Sequence, residues 1–160
     1  MVNIGLTRRG LLSLAVAGPL AVGPEGAGPH SPLPPLFAVD PLSGLALRGY
    51  DPVSYALGEW PVPGRAAYEL AWAGLAWRFA GPANRAAFAR DPEIYAPRLG
   101  GYDPVGIAEG RFVDADPLVA LHRSGRLYLF RNEARRAAAD AVVIAAAEAR
   151  WPALQRRLES

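Results

Sequence analysis

Gly49-Tyr50-Asp51-Pro52-Val53 and Gly101-Tyr102-Asp103-Pro104-Val105 are the same five residues, and the second copy begins 52 residues after the first. The agreement continues along the chain, since Arg85-Ala86-Ala87 matches Arg136-Ala137-Ala138 at an offset of 51 residues. A sequence period of about 50 residues indicates one supersecondary unit that is used twice. We therefore expect an internal duplication to organise the fold.

The two repeats are expected over residues 49–100 and 101–154. In the first repeat, residues 68–72 and 75–79 show the alternation that is typical of β-strands. Ala73-Gly74 joins them as a hairpin turn. A helix should follow, since Pro82 suits the first position of a helix. A short strand is also expected at residues 45–47, just before the repeat begins.

The second repeat shows the same order of elements. Residues 106–110 are predicted to be a connecting segment, and residues 118–122 and 127–130 are predicted strands. Asn132 is a good N-cap for a helix that reaches residue 147, and Trp151-Pro152 is expected to start a separate short helix. The predicted fold class is α+β, with two tandem β-hairpin-plus-helix units packed as one small domain.

The start of the chain is typical of an export signal. Arg8 and Arg9 directly precede an apolar run that is too short to span a bilayer, and such a pair resembles the twin-arginine signal of bacteria. We expect residues 1–27 to be this signal, residues 28–42 to be a Pro-rich linker, and residues 43–160 to be the folded domain. Removal of the signal would leave a soluble periplasmic protein.

The composition narrows the classes of function. The chain has 160 residues, of which 51% are hydrophobic, and this suits one domain with a real core. The basic residues are scattered and form no stripe, so no nucleic-acid partner is expected. The absence of Cys excludes disulfides and thiolate metal sites. No apolar run approaches the roughly 18 residues that a membrane span needs.

The best candidate ligand-binding residues are Tyr50, Asp51, Tyr102 and Asp103, which form two Tyr-Asp pairs at equivalent positions. A pseudo-twofold arrangement would bring them together as a site for a hard cation or a small polar ligand. Two close carboxylates could also share a proton and act as acid and base. In the other interpretation, each Asp caps its own Asp-Pro turn and each Tyr hydroxyl bonds to backbone.

The remaining polar residues suggest no catalytic site. No Ser has a base at a recognisable spacing. Asp114 and Asp116 lack the spacing of a calcium loop and are interpreted as part of a solvated loop. His30 and His122 are interpreted as solvated or hydrogen-bonded side chains. The sequence therefore favours a protein that is not an enzyme, although it does not decide the question.

An ordered set of motifs in the chain resembles the YHS domain family, and more narrowly its exported bacterial members. The set consists of Gly49-Tyr50-Asp51-Pro52-Val53-Ser54-Tyr55, Trp77-Arg78-Phe79, Asn84-Arg85-Ala86-Ala87-Phe88 and Asp91-Pro92-Glu93-Ile94-Tyr95-Ala96-Pro97. The resemblance covers about residues 43–130. It implies a hairpin-plus-helix fold related to treble-clef zinc modules, and a link to heavy-metal handling.

The departures from that family concern its metal site. Metal-binding members place Cys after Asp-Pro-Val, after the Phe that ends the hairpin, and on the following helix. Here those positions hold Ser54, Ala80 and Asn84 in the first repeat, and Gly106, Arg131 and Arg135 in the second. None of these residues is a thiolate ligand, so the family's metal–thiolate site should be lost. No cofactor is expected, and a hard cation is left open.

Three functional hypotheses follow. The first is a non-enzymatic periplasmic binding or accessory module of YHS type, with a pocket between the repeats for an unknown small ligand. The second is a small acid–base enzyme that uses the two Tyr-Asp turns. The third is a structural partner of an exported protein complex, which predicts an exposed apolar patch.

Overall fold

The computed structural model describes residues 35–158. The predicted signal over residues 1–27, with Arg8 and Arg9, lies outside the described residues, as does His30. None of the described helices is long and apolar enough to cross a membrane. The α+β fold class is confirmed. The elements within the described residues are α1 (Ser54–Leu57), β1 (Arg65–Trp72), β2 (Leu75–Phe79), α2 (Pro82–Arg90), α3 (Pro92–Tyr95), α4 (Pro104–Ala108), β3 (Asp116–Arg123), β4 (Arg126–Phe130), α5 (Glu133–Ala138) and α6 (Ala141–Leu158).

The duplication is visible in the two hairpins. Strand β1 pairs with β2 and strand β3 pairs with β4, both antiparallel, as two separate two-stranded sheets. Ala73-Gly74 and Ser124-Gly125 form the turns, and all four residues have positive φ, as the type I′ hairpin turn requires. Each hairpin also has an irregular register at the same place, between Arg65 and Glu69 and between Asp116 and Ala120. The two repeats thus share the conformation of the turn and the position of the register irregularity, although their side chains differ there.

Each repeated pentapeptide is entered through a left-handed turn. Leu47, Arg48 and Gly49 have φ of 53°, 51° and 82°, and residues 99–101 repeat this conformation with φ of 56°, 63° and 76°. The predicted strand at residues 45–47 is therefore wrong, and only isolated bridges form there. The left-handed backbone costs free energy at a non-Gly residue, so it must be held by the surrounding structure.

The core crosses from one repeat to the other. The first cluster of buried side chains contains Trp77, Phe79 and Phe88 of the first repeat together with Leu127 and Leu129 of β4. The second cluster is formed by the second repeat and α6. Because a two-stranded hairpin is at best marginally stable alone, this sharing lets the two repeats fold as one core.

The linker that was predicted over residues 28–42 ends earlier than expected. Phe37 lies against Trp77, with ring centroids 5.6 Å apart. The amide of Ala38 donates to the carbonyl oxygen of Gly100 at 2.8 Å. The chain is therefore packed on the domain from residue 35 onward, because burying an aromatic ring outweighs the freedom of a Pro-rich segment.

The helices at the end of the chain also differ from the prediction. Asn132 caps α5 as expected, accepting from the amide of Arg135 at 3.0 Å. The predicted helix to residue 147 is interrupted, because Asp140 accepts from the amide of Val143 at 2.9 Å and starts α6. The separate helix predicted at Trp151-Pro152 is wrong, since α6 continues through Pro152.

Glu148 joins α6 to the end of the first repeat and to β4. Its carboxylate accepts from Arg98 Nη2 at 2.7 Å and from Arg98 Nε at 3.1 Å. It also accepts from the hydroxyl of Tyr128 at 2.7 Å. These donors, with Arg98 first, hold the pKa of Glu148 below its ordinary value, because they stabilise the charged form.

Replacing Glu148 by glutamine is expected to remove a pH-dependent part of the stability. A lowered folded-state pKa means that the contribution is present above the ordinary glutamate value of 4.5 and is lost as the pH falls below it. We expect a loss of about 1–2 kcal/mol at pH 7 and a smaller difference from the parent at pH 3. Urea unfolding at both pH values measures this, with the exposed Glu133→Gln as the control. A Glu148→Gln loss that is the same at both pH values would contradict the assignment.

Candidate functional site

Asp51 is buried and connects three parts of the first repeat. One carboxylate oxygen accepts from the amide of Val53 at 2.8 Å, within the Asp-Pro turn. The other accepts from the amide of Ala80 at 2.8 Å and from Asn84 Nδ2 at 2.6 Å. The side chain is 0% exposed. Asp51 therefore ties the turn to the end of β2 and to α2.

Asp103 repeats this arrangement with a charged donor. It accepts from the amide of Gly106 at 3.0 Å, from the amide of Arg131 at 2.9 Å and from Arg135 Nε at 3.0 Å. The bond to Gly106 caps α4, so part of the segment that was predicted as a connection is helical. The two Asp residues are thus equivalent in position, in burial and in the three elements that they join.

The two tyrosines differ from one another. Tyr102 is buried, and its hydroxyl donates to the carbonyl oxygen of Pro35 at 2.6 Å. Burial raises the pKa of Tyr102, because the charged phenolate would lose its solvation. Tyr50 is half-buried at the edge of the first core cluster, and its backbone pairs with Pro63. Tyr102 thus holds the segment before the repeats in place.

No hydrogen bond and no cavity lining among the described residues joins the two Tyr-Asp pairs. Asp51 and Asp103 share no hydrogen-bond partner, and each is satisfied within its own repeat. The interpretation of each Asp as a turn cap is confirmed. The shared ligand site stays a prediction without support from these contacts. Over residues 35–158 no group of three or more His, Cys, Asp or Glu side chains is placed to hold a metal ion.

A cavity of about 540 Å³ opens instead between the two repeats. Residues 37–42 form one wall. Leu47 and Trp77 line it from the first repeat, and Ala115 and Leu129 line it from the second. None of the four predicted residues lines it, although Gly101 beside Tyr102 does. The cavity is therefore a product of the way in which the repeats and the preceding segment pack.

Three charged residues stand at this cavity, namely Asp40, Arg48 and Asp114. The Asp40 carboxylate accepts from the hydroxyl and the amide of Ser43 at 2.5 and 3.0 Å, and these bonds lower its pKa. Arg48 Nη1 lies 3.5 Å from a carboxylate oxygen of Asp116. Asp114 is exposed. Because Arg48 is paired with Asp116, the carboxylates of Asp40 and Asp114 give the cavity a negative charge.

A pocket between the repeats is expected from the sequence, but the residues that line it are not, because its walls come from three segments that are far apart in the chain. The available signal was Asp114, which was interpreted as part of a solvated loop. Comparison with protein-family models, with curated proteins and with solved structures found no match to this chain. The geometry of the described residues therefore carries the functional argument.

Proposed function

We propose that this protein is a non-enzymatic binding module, and that its cavity holds a small, mostly apolar molecule that carries a positive charge. The observation that carries the proposal is the cavity of about 540 Å³ between the repeats. Ligand sites in proteins are typically clefts of about 300–1,000 Å³ with apolar walls and a few polar groups. Phe37, Leu47, Trp77 and Leu129 supply such walls.

The charge of the ligand is inferred from the lining carboxylates. Asp40 keeps its charge at neutral pH, since its bonds to Ser43 lower its pKa. Asp114 adds a second carboxylate, and Arg48 already faces Asp116. A cationic group on the ligand would meet a negative local potential, whereas an anionic group would be repelled.

The buried carboxylates favour binding over acid–base chemistry. A general acid or base must come within hydrogen-bond reach of the substrate. Asp51 and Asp103 are both 0% exposed, and both oxygens of each carboxylate accept bonds from their own repeat. A structural role for each Asp, joining the segments of its own repeat, accounts for every one of these bonds.

The relation to the YHS family is part of the same proposal. Ser54, Ala80 and Asn84, where the resemblance places cysteine ligands, all bond to Asp51: the Ser54 hydroxyl to its carbonyl oxygen at 2.6 Å, the other two to its carboxylate. This convergence supports a YHS-like, treble-clef-related module in which a buried carboxylate replaces the thiolate site. The Arg8-Arg9 pair, which resembles a twin-arginine signal, supports a periplasmic location for the module.

A matched pair of ligands tests the proposal by isothermal titration calorimetry. Tryptamine and indole-3-acetate carry the same ring with opposite charge, and we expect only tryptamine to bind measurably. Asp114→Asn should weaken that binding about two- to fivefold, as the loss of a partly exposed ion pair does. Asp91→Asn, an exposed Asp outside the cavity lining, serves as the control.

A second variant separates the cavity from the charge. Ala115→Phe would fill the space between the repeats and should abolish binding while circular dichroism shows an unchanged fold. Preference for indole-3-acetate, or equal binding by the Ala115→Phe variant, would overturn the proposal. Native mass spectrometry of the protein from its own periplasm would then identify the natural ligand by its mass.

A further inference from the structure

Exposed apolar residues of both repeats lie at and beside α1. Leu57 and Trp60 are 73% and 72% exposed, and Leu118 on β3 is 46% exposed. Trp60 and Leu118 line one side groove of about 430 Å³. These three residues are called the α1 patch below. Single exposed apolar residues are ordinary, but a large aromatic and two leucines beside a groove are typical of a binding surface.

The second repeat contains the equivalent surface, and there α6 covers it. Trp60 aligns with Phe112 of the second repeat. Phe112 is partly buried, with its ring centroid 5.1 Å from that of Tyr102 and 6.5 Å from that of Trp151 on α6. The same position is therefore covered by a helix in one repeat and open in the other.

The helix next to each patch shows the same difference. α4, which stands where α1 stands in the first repeat, packs along α6, and Ile107 of α4 shares a buried cluster with Ile144 and Ala147 of α6. Among residues 35–158, no helix packs along α1 in this way. The chain that aligns with the start of α6 forms α3, which ends at Tyr95 because the chain must then enter the second repeat.

The charges beside the α1 patch suit a basic partner. Glu59 and Glu133 line the groove, and Arg136 Nε donates to Glu133 at 2.6 Å. His122 also lines it and is exposed. Glu59 has no ion-pair partner among the described residues, so a net negative charge remains at the groove.

Glu59 aligns with Arg111, so the negative charge is particular to the first repeat, while the covered repeat shows which part of α6 lies over this place. α6 carries Arg150, and a Cβ placed on Gly110 would lie 3.0 Å from its Nη1. Gly110 aligns with Gly58, which stands next to Glu59. An arginine at the equivalent place on a bound helix would lie beside Gly58, next to Glu59.

We propose that the α1 patch binds an amphipathic helix of a partner protein, which lies over Trp60 as α6 lies over Phe112. The bound helix presents an apolar stripe to Leu57, Trp60 and Leu118 and a basic residue to Glu59, which is the helix-in-groove mode of recognition. This inference does not depend on the cavity between the repeats.

The test uses a peptide of residues 139–158, which is α6 with the two residues before it, as the probe helix. Fluorescence anisotropy of a labelled peptide should show saturable binding to the intact protein, and ¹⁵N NMR shifts should be confined to residues 55–62 and to Leu118. Trp60→Ala and Leu57→Glu are each expected to weaken binding at least about tenfold, as loss of an anchor residue does. A peptide with Arg150→Glu should bind more weakly than the parent peptide.

The control is Leu42→Glu, because Leu42 is 95% exposed and lies outside the α1 patch. It should leave peptide binding unchanged, and thermal unfolding should be unaltered in all three protein variants. Absence of saturable binding, or NMR shifts at α4 instead of α1, would overturn the proposal. Sedimentation velocity covers the other occupant: a dimer that Trp60→Ala dissociates would assign the patch to a second copy of this chain and overturn the helix assignment.

Discussion

Replacing Asp51 or Asp103 by alanine is expected to lower the free energy of unfolding by about 3–5 kcal/mol. Each carboxylate is 0% exposed and accepts from three donors in three different elements. Alanine would leave those donors buried without an acceptor. Because small domains are stable by only about 5–15 kcal/mol, the double variant should be largely unfolded at room temperature.

The two single variants should differ, with Asp103→Ala the more harmful. Asp103 accepts from Nε of Arg135, and Nη2 of the same guanidinium is buried without a hydrogen-bond partner among the described residues. Asp51 faces the neutral amide of Asn84. Removal of Asp103 therefore leaves a charge that is only 26% exposed without its counter-charge, which costs more than an unpaired amide.

Urea unfolding followed by tryptophan fluorescence measures both losses. The control is the exposed Asp91→Ala, which should change the stability by less than about 0.5 kcal/mol. Arg135→Ala added to Asp103→Ala should recover part of the loss, because it removes the unpaired charge. If the free energy of unfolding fell by less than about 1 kcal/mol in either Asp variant, these bonds would not be what joins the segments of each repeat.

Replacing Gly100 by alanine is expected to release the segment before the repeats and to abolish ligand binding in the cavity. Gly100 has φ of 63°, and a Cβ there would overlap the carbonyl oxygen of Leu36 and lie 3.0 Å from Cη2 of Trp151. The left-handed backbone and the overlap together should cost about 2–5 kcal/mol. Phe37 and Ala38 would leave their places, and the cavity would lose one wall.

Gly125→Ala is the matched control for this effect. Gly125 has φ of 71°, and a Cβ there would have nothing within 4 Å. It should cost only the roughly 1–2 kcal/mol of the left-handed conformation. Hydrogen exchange at the amide of Ala38 should become fast in the Gly100 variant and stay slow in the control. Equal stability losses and equal exchange rates would show that the segment is not held at Gly100.

Local chemistry made several elements predictable from the sequence. Ala73-Gly74 and Ser124-Gly125 supply residues for the tight hairpin turns, and Asn132 caps the helix that directly follows it. The hydrogen bond by which each Asp caps its own turn also joins residues no more than three positions apart in the sequence. Such signals depend on backbone preferences and on hydrogen bonds between near neighbours, so a single sequence contains them.

The hydrogen bonds from each Asp to residues far away in the sequence were not predictable. Asp51 reaches Ala80 and Asn84, which are 29 and 33 residues further along the chain. The sequence does not distinguish a ligand-binding Asp from a turn-capping Asp, because a carboxylate before Pro suits both roles. Burial decides between them, and burial depends on which distant segments pack over the side chain.

The sequence by itself determined the duplication, the hairpins, their α+β character and the cap at Asn132. Only the tertiary structure decided the left-handed turn at Leu47 and Arg48, the packing of residues 35–40, the lining of the cavity between the repeats and the exposure of the α1 patch. The physical reason is one of range. Turn and cap preferences act over a few residues, whereas the lining of a cavity depends on how segments far apart in the chain pack together. The α1 patch is exposed because the first repeat has no helix that corresponds to α6.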